Sequence, residues 1–455
     1  MEEKENRLGT EKVGKLLVKL AVPTITAQVV NMLYNIVDRI YIGHIPGEGA
    51  LALTGLGLCF PVLMLVTAFS SLVGMGGAPR ASIKMGKKDN EGAAHILGNC
   101  FTVLLVLAVI LTVVCRVFSR DLLYLFGASD STIGYALDYM NIYVLGTVSV
   151  MVSLGLNAFI TTQGFTKISM LTVVIGAITN IVLDPVLIFG FGMGVQGAAL
   201  ATILSQTISA VWVLRFLFGS KTILRIQRKY MRVRPSVMLP VLALGLSPFI
   251  MTSTESLLNI SFNTSLQKYG GDLAVGSMTI LSSSMQLCNL PLQGLAQGAQ
   301  PIISYNFGAG QPGRVKEAFR LLFLSSVGFC GAVWLIVQLW PGFLPRLFAE
   351  DAALIEYAAW AIRIYMGASL VMGAQMACQQ TFVAIGEAKI SLFLALYRKI
   401  LLLIPLIFIL PHFLSDKVFA VFLAEPVADA VAAGTTTVIF MLKFRKLMRA
   451  AGTAE

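Results

Sequence analysis

Gly76-Gly77-Ala78-Pro79-Arg80-Ala81-Ser82-Ile83-Lys84-Met85-Gly86 comes back later in the chain as Gly298-Ala299-Gln300-Pro301-Ile302-Ile303-Ser304-Tyr305-Asn306-Phe307-Gly308, with Gly, Pro, Ser and Gly in the same four places. The same shift of 222 residues carries Leu125-Phe126 to Leu347-Phe348, Tyr135-Ala136 to Tyr357-Ala358, and Tyr143 to Tyr365. It also carries Gly164-x-x-Lys167-Ile168-Ser169 to Gly386-x-x-Lys389-Ile390-Ser391, and it runs without a gap from Leu51/Leu273 to Ser169/Ser391. The chain therefore contains one unit twice. Both copies are strings of long apolar segments, and a duplicated bundle of membrane helices is the usual build of a secondary transporter.

The composition agrees: 56% of residues are hydrophobic and only 13% are charged, about half the charge of a soluble domain. Twelve apolar segments fall at approximately 15–42, 50–75, 94–118, 135–161, 168–190, 196–218, 238–266, 273–299, 318–341, 357–384, 391–412 and 417–442. Each is long enough to cross a hydrocarbon core of about 30 Å as a helix, and helix is required because lipid offers no hydrogen bonds to open chain. The first segment contains Pro23 and Asn31 and has no small-residue cleavage site after it, so it reads as a span and not as a signal peptide.

Gly219 to Ser236 is the longest polar stretch between spans; it carries Lys221, Arg225, Arg228, Lys229, Arg232 and Arg234 and no acid. Cationic loops stay in the cytoplasm. Under a twelve-helix count Arg80, Lys84, Lys87, Lys88, Arg314, Lys316, Arg320 and the tail Lys443, Arg445, Lys446 and Arg449 lie on that same side. Both termini are then cytoplasmic in a multi-pass protein of the cell inner (plasma) membrane. The net charge of +11 is explained by this bias, and no nucleic-acid partner is expected. Six helices per copy is an even number, so the copies share one orientation. The expected fold is an all-α membrane protein of twelve transmembrane helices in two parallel-oriented six-helix lobes, related by a pseudo-two-fold along the membrane normal. The expected division is an N-lobe over 1–218, a basic cytoplasmic linker over 219–236 and a C-lobe over 237–455.

Several enzyme signatures fail. Gly192-Met-Gly194-Val-Gln-Gly197 and Gly308-Ala-Gly310-Gln-Pro-Gly313 have dinucleotide-loop spacing but sit at span ends with no strand before them, so they read as turns. Arg314-Val315 stands where a P-loop needs Lys-Ser/Thr, so no ATP hydrolysis and no ATPase subunit are expected. The histidines (44, 95, 412) are isolated, and the cysteines (59, 100, 115, 288, 330, 378) are scattered with no C-x-x-C. No catalytic residue and no cofactor is expected.

Polarity inside the bilayer is what remains, and an acid at mid-span costs about 2.5–3.5 kcal/mol to insert. Helix 1 carries Asp38 near its end, with Asn35, Asn31, Gln28 and Thr24 behind it at spacings of three and four. Helix 5 carries Asn180 and Asp184 on one face, followed by Pro185, which should kink the helix. Two oxygen donors on one face of a broken helix suit a hard cation or a proton. Helix 7 has Thr252, Glu255, Asn259 and Asn263 in a stripe, and helix 8 has Ser282, Gln286, Asn289, Gln293, Gln297 and Gln300. Such stripes serve either a polar cavity or helix–helix adhesion. Helices 11 and 12 hold Arg398, Lys399, Glu425, Pro426 and Asp429; Arg398 with Asp429 or Glu425 reads as a structural ion pair.

With these residues in hand, the chain resembles the multidrug and toxic-compound extrusion (MATE) family over essentially its whole length. The resemblance rests on Asn35-Ile-Val-Asp38-Arg-Ile-Tyr-Ile-Gly43, on the duplicated Gly76/Pro79/Ser82/Gly86 signature, on Asn180-x-x-x-Asp184-Pro185, and on Gly194-x-x-Gly197-Ala-Ala-x-Ala201-Thr202. The acidic pair in the first half points to a bacterial-type member. The resemblance implies antiport of organic, often cationic, compounds against Na⁺ or H⁺ by a monomer. It implies a cation or proton site, with Na⁺ as one occupant, at Asp38, Asn180, Asp184 and Thr202. It also implies a substrate or coupling role for Glu255 in helix 7, and Gln28, Asn31, Asn35 and Asn259 are candidates for the same surface. The second copy lacks the acids of the first, Asn263 being the nearest counterpart of Asp38, so the two lobes should be functionally unequal. The alternative is a lipid-linked precursor flippase of the same superfamily, which would use a strongly cationic cavity. A membrane-embedded enzyme or a channel fits less well, for want of an acid–base cluster or a pore-lining ring.

Overall fold

The structure, a computed structural model, describes residues 7–47, 49–349 and 351–452. The first six and last three residues, at the two termini expected on one side of the membrane, lie outside the described residues. Among the described residues twelve helical segments long and apolar enough to cross a membrane follow one another: α1 (Val13–Gly43), α2 (Gly49–Gly86), α3 (Asn90–Val117), α4 (Ile133–Thr162), α5 (Thr166–Gly190) and α6 (Gly194–Phe218) in the first half. The second half holds α7 (235–270), α8 (272–308), α9 (Pro312–Leu339), α10 (Ala352–Tyr365 with Ser369–Ala384), α11 (Ala388–Phe413) and α12 (Lys417–Gly452). The stretch Pro235–Gly308 is helical throughout except at Gly271, where φ is 65° and ψ is −160°. A straight helix of that length would run ~111 Å. The chain instead turns back there, and Leu258, Phe262 and Leu266 of α7 pack against Ala274, Met278 and Leu281 of α8.

Several helices exceed the apolar segments read from the sequence. α2 reaches Gly86 and α8 reaches Gly308, because the hydropathy pattern records only the part of a helix inside lipid. Asp89 caps α3 by accepting from Gly92 N at 2.8 Å. Its carboxyl is held below the usual range, first by its hydrogen bond with Lys84 and then by the Gly92 amide. Both copies are interrupted at the same place in the repeat: α4 tightens into a 3₁₀ turn over Val144–Gly146, and the two parts of α10 meet at 52°. A short helix, Ser119–Leu125, that the apolar pattern does not reveal follows α3. The two GxGxxG strings are turns between helices, as expected: Gly192, Gly194 and Gly310 have φ of 65°, 53° and 67°.

Each lobe has its own core. In the first, Val66, Leu97, Leu104, Met151 and Phe159 are buried together. In the second there are two clusters, and the one nearer the linker recruits Leu16, Leu17 and Leu20 of α1 alongside Ile302, Leu322, Phe382 and Phe440. The first turns of α1 therefore pack on the opposite half, while its last turns pack on α5.

The duplicated Gly/Pro/Ser/Gly signature lies on the seam between lobes. A Cβ on Gly86 would fall inside the van der Waals envelope of the Tyr305 carbonyl oxygen, and one on Gly308 inside that of the Ile83 carbonyl oxygen. Ile83 and Tyr305 are themselves related by the 222-residue shift, so the contact is made reciprocally. Gly298 meets the Ala21 backbone in the same manner, its Cβ position 2.5 Å from Ala21 Cα. Thr24 Oγ1 donates to Gly294 O at 2.6 Å, Gln28 Nε2 to Gln297 Oε1 at 3.2 Å, and Gln300 Nε2 to Thr162 Oγ1 at 3.1 Å. Among the described residues these ties sit at the linker end of the bundle. Beyond Gln28 and Gln297 the same polar stripes continue as Asn31 and Asn35 on α1 and as Gln293, Asn289 and Gln286 on α8, and they are partly or fully exposed. On α7 Glu255, Asn259 and Asn263 are exposed on one face while Leu257 and Ile260 are exposed on another. The apolar face suits lipid; the polar faces of α1, α7 and α8 are exposed beyond the seam, where water between the lobes would satisfy them.

The linker is more than a bridge. Gln163, 3% exposed at the end of α4, accepts at Oε1 from Thr222 Oγ1, Ile223 N and Leu224 N at 2.8, 2.9 and 2.8 Å. Asn99 of α3 donates to Tyr230 O at 2.9 Å and accepts from Arg234 N at 2.6 Å. Leu224, Ile226 and Tyr230 are buried beneath. Two side-chain amides thus fasten the linker to the first lobe. Gln163→Leu strands three donors of the linker, at about 1–3 kcal/mol each for those left without water. The expected result is a lower thermal midpoint and new tryptic cleavage at Arg225 and Arg228 in the purified protein; an unchanged midpoint and cleavage pattern would show that Gln163 does not hold the linker.

Candidate functional site

α5 brings Asn180 and Asp184 onto one face, one turn apart, and both are fully buried. Pro185 follows, and the helix widens into a π turn over Val186–Gly190, the kind of irregularity that recurs where helices carry function. α1 lies across this face. Asp38, 8% exposed, lies beside Asp184, near enough for each acid to feel the other's charge, and two carboxylates so placed do not both stay charged without a shared proton or an intervening cation. Asn180 Nδ2 donates to Asp184 Oδ1 at 3.4 Å and to Thr202 Oγ1 of α6 at 3.5 Å. Thr202 donates its own hydroxyl to Ala198 O at 3.0 Å, which is why its oxygen accepts from Asn180.

The structure thus gathers Asp38, Asn180, Asp184 and Thr202 into one pocket. Asp38 Oδ1, Asn180 Oδ1 and Asp184 Oδ2 are buried and have no protein partner. Three unpartnered acceptor oxygens on neighbouring side chains form a hard donor set suited to Na⁺ or a proton. No group of three or more His, Cys, Asp or Glu residues able to hold a metal occurs among the described residues. The sequence reading missed the tyrosines around this pocket. Tyr139 of α4 is 2% exposed and Tyr34 of α1 stands one turn before Asp38, both within the field of the Asp38 carboxyl. The spacing of Tyr34 to Asp38 was a usable signal; Tyr139 had none beyond being a phenol inside a span.

The other α1 candidates go elsewhere. Asn35 is exposed and donates to Asn31 O at 2.6 Å instead of to Asp38, and Gln28 is taken by Gln297 in the seam. Asn259 is exposed on the polar face of α7, and Asn263, the nearest counterpart of Asp38, is exposed rather than enclosed.

A second polar cluster lies in the other lobe. α11 widens into a π turn over Tyr397–Leu403, which lets the consecutive residues Arg398 and Lys399 both turn inward. Arg398 Nε donates to Asp429 Oδ1 at 2.6 Å and Nη2 to Glu425 Oε1 at 3.1 Å, so the expected ion pair is present and engages both acids. Lys399 Nζ donates to Met251 O at 2.6 Å and to Glu255. Glu255 is therefore not a lone acid. Arg398→Leu leaves Glu425 and Asp429 buried and unpaired, and breaking a buried pair from one side costs about 3–5 kcal/mol. The expected result is a large fall in thermal midpoint, partly recovered in Arg398→Leu/Asp429→Asn; no fall would show the pair to be dispensable.

Comparison with known proteins follows the same division into halves. The MatE family model matches residues 23–186 and again 248–409, one match per copy. The multidrug export protein MepA of Staphylococcus haemolyticus (strain JCSC1435) is 25% identical over 423 residues, covering 92% of each chain. A crystal structure of MATE in the bent conformation superposes with a TM-score of 0.92 over 99% of both chains at 23% identity. The outward-facing conformation of a multidrug resistance MATE family transporter of the MOP superfamily gives 0.90, at 23% identity, over 97% of this chain and 98% of that one. The twelve helices in two lobes, the twofold family match and these relatives together place the chain in the MatE family of multidrug efflux transporters.

Proposed function

We propose that the protein is an antiporter that exports organic, often cationic, compounds in exchange for Na⁺ or H⁺, working as a monomer in the plasma membrane with no cofactor. The observation that carries this is the Asp38/Asp184 pocket. One oxygen of each acid and an amide oxygen are enclosed without protein donors, and a small cation or a proton relieves them. With the basic linker in the cytoplasm, both termini are cytoplasmic, the glycine-lined seam is the cytoplasmic seal, and the cleft opens outward. The moving bodies are the N-lobe (1–218) with the linker (219–236) fastened to it and the C-lobe (237–455). Ion occupancy at Asp38, Asn180, Asp184 and Thr202 biases which state is populated. One inward charge supplies about 2.3 kcal/mol per 100 mV, and about 1.4 kcal/mol is tenfold in an equilibrium. For an uncharged substrate one ion thus supports a gradient between about tenfold and about a hundredfold; for a monocation the two charges cancel, and the ion's concentration gradient does the work. A flippase for lipid-linked precursors is disfavoured because Arg398 and Lys399 are both paired with acids.

The test is purified protein in liposomes loaded with a cationic dye. Efflux driven by a Na⁺ gradient or by a pH gradient alone supports the reading and names the ion. Efflux that ignores both gradients would overturn it.

A further inference from the structure

Glu255 and Lys399 form an ion pair whose two ends stand in different surroundings. The Lys399 side chain is 5% exposed and the Glu255 side chain 56% exposed. The lysine belongs to the interior of the lobe, while the carboxylate belongs to the polar stripe of α7 that walls the cleft. The neighbouring Arg398 is already committed to Asp429 and Glu425. The cluster therefore sets three carboxylates, Glu255, Glu425 and Asp429, against two cations, Arg398 and Lys399. The other titratable groups facing it are Tyr365 of α10 and Cys330 of α9, neither of which brings a positive charge. Counted as formal charges, the cluster has one negative group in excess, and Lys399 lies within the field of Glu425 as well as Glu255.

We infer that Lys399 is a tethered counter-ion for Glu255, and that an organic monocation in the cleft takes its place on the exposed carboxylate while Lys399 stays on the Met251 carbonyl and turns toward Glu425. With such a cation bound, three positive charges meet three negative ones. The tether also filters ligands. A cation offering charge alone must compete with an ammonium already in place at high effective concentration. A cation with an apolar body gains in addition from burying that body against the cleft wall. Lys399 is thus a specificity-determining residue that favours bulky lipophilic monocations over small ones.

This rests on the efflux reading for its biological meaning, but its test does not. Equilibrium binding of tetraphenylphosphonium, and of the uncharged triphenylphosphine oxide as control, is measured on purified protein in nanodiscs with no ion gradient. Lys399→Gln frees a carboxylate that water can solvate and keeps a polar amide, one heavy atom shorter, in place of the ammonium. Tetraphenylphosphonium is expected to bind at least ~10-fold tighter to this variant, with the neutral control unchanged, and Lys399→Gln/Glu255→Gln is expected to lose the gain. Unchanged or weaker binding of the cation, or an equal gain for the neutral control, would overturn the inference. If Lys399→Gln does not give monodisperse protein, Lys399→Arg decides. Its planar fork holds a carboxylate more firmly, so weaker cation binding supports the tether and unchanged or tighter binding refutes it. Efflux indifferent to Na⁺ and pH gradients would sink the antiport reading while leaving these binding results standing.

Discussion

Asp184→Asn is expected to leave a folded, correctly inserted protein whose efflux no longer follows the ion gradient. The amide is nearly isosteric, and it replaces a buried acid that is costly when charged, so stability should hold or rise. What disappears is the second of two carboxyls that can share a proton or clasp a cation; Asn180 and Thr202 alone are neutral oxygen donors. Gradient-driven dye efflux from liposomes should fall by at least ~10-fold, equivalent to about 1.4 kcal/mol of lost coupling, with residual transport insensitive to Na⁺ and pH. Asp38→Asn should behave alike, because Asp38 closes the same pocket from α1. Wild-type rates and ion dependence in both variants would remove the pocket from the coupling mechanism, and Glu255 would be tested next.

The second large effect concerns the seam. Gly86→Leu places a Cβ, and then a branched side chain, against the Tyr305 carbonyl of the opposite lobe, where the obstacle is backbone and cannot swing aside. The variant should be unable to close the linker end as observed here. Transport should fall by ~10-fold or more, and a cysteine introduced on that side of the seam should become reactive to a membrane-impermeant maleimide in inside-out vesicles. Gly308→Leu should reproduce the result from the other side. Normal transport in both would mean that the close approach is not needed for the cycle.

The architecture was readable because two strong regularities coincide. A repeat in unbroken register and runs of about 20 apolar residues leave few alternatives. The acids of α1 and α5 stood out for a physical reason: nothing but a partner or a ligand makes Asp38 and Asp184 tolerable inside lipid. Thr202 could be named only through the family resemblance, since a threonine in a span is ordinary and satisfies itself on the preceding turn, as it does on Ala198 O. Glu255 was visible as an acid, but its partner Lys399 lies 144 residues away and is turned inward by a π turn that helical periodicity does not anticipate. The helix 8 stripe divides along its length. Gln297 and Gln300 bond across the seam, while Gln286 and Gln293 are exposed, so adhesion accounts for only one end of the pattern.

The seam contacts carry a historical consequence. Gly86 meets Tyr305 and Gly308 meets Ile83, so position i of one copy touches position j of the other and j touches i. That reciprocity is the signature of an isologous interface between identical subunits. A six-helix ancestor would have met a second copy of itself in this way. On that view the lobes became unlike only after the genes fused, when one partner kept the paired aspartates and the other acquired its arginine and lysine. Gln163 records the fusion most directly: its counterpart after the 222-residue shift is Ile385, because only the first copy has a linker to hold.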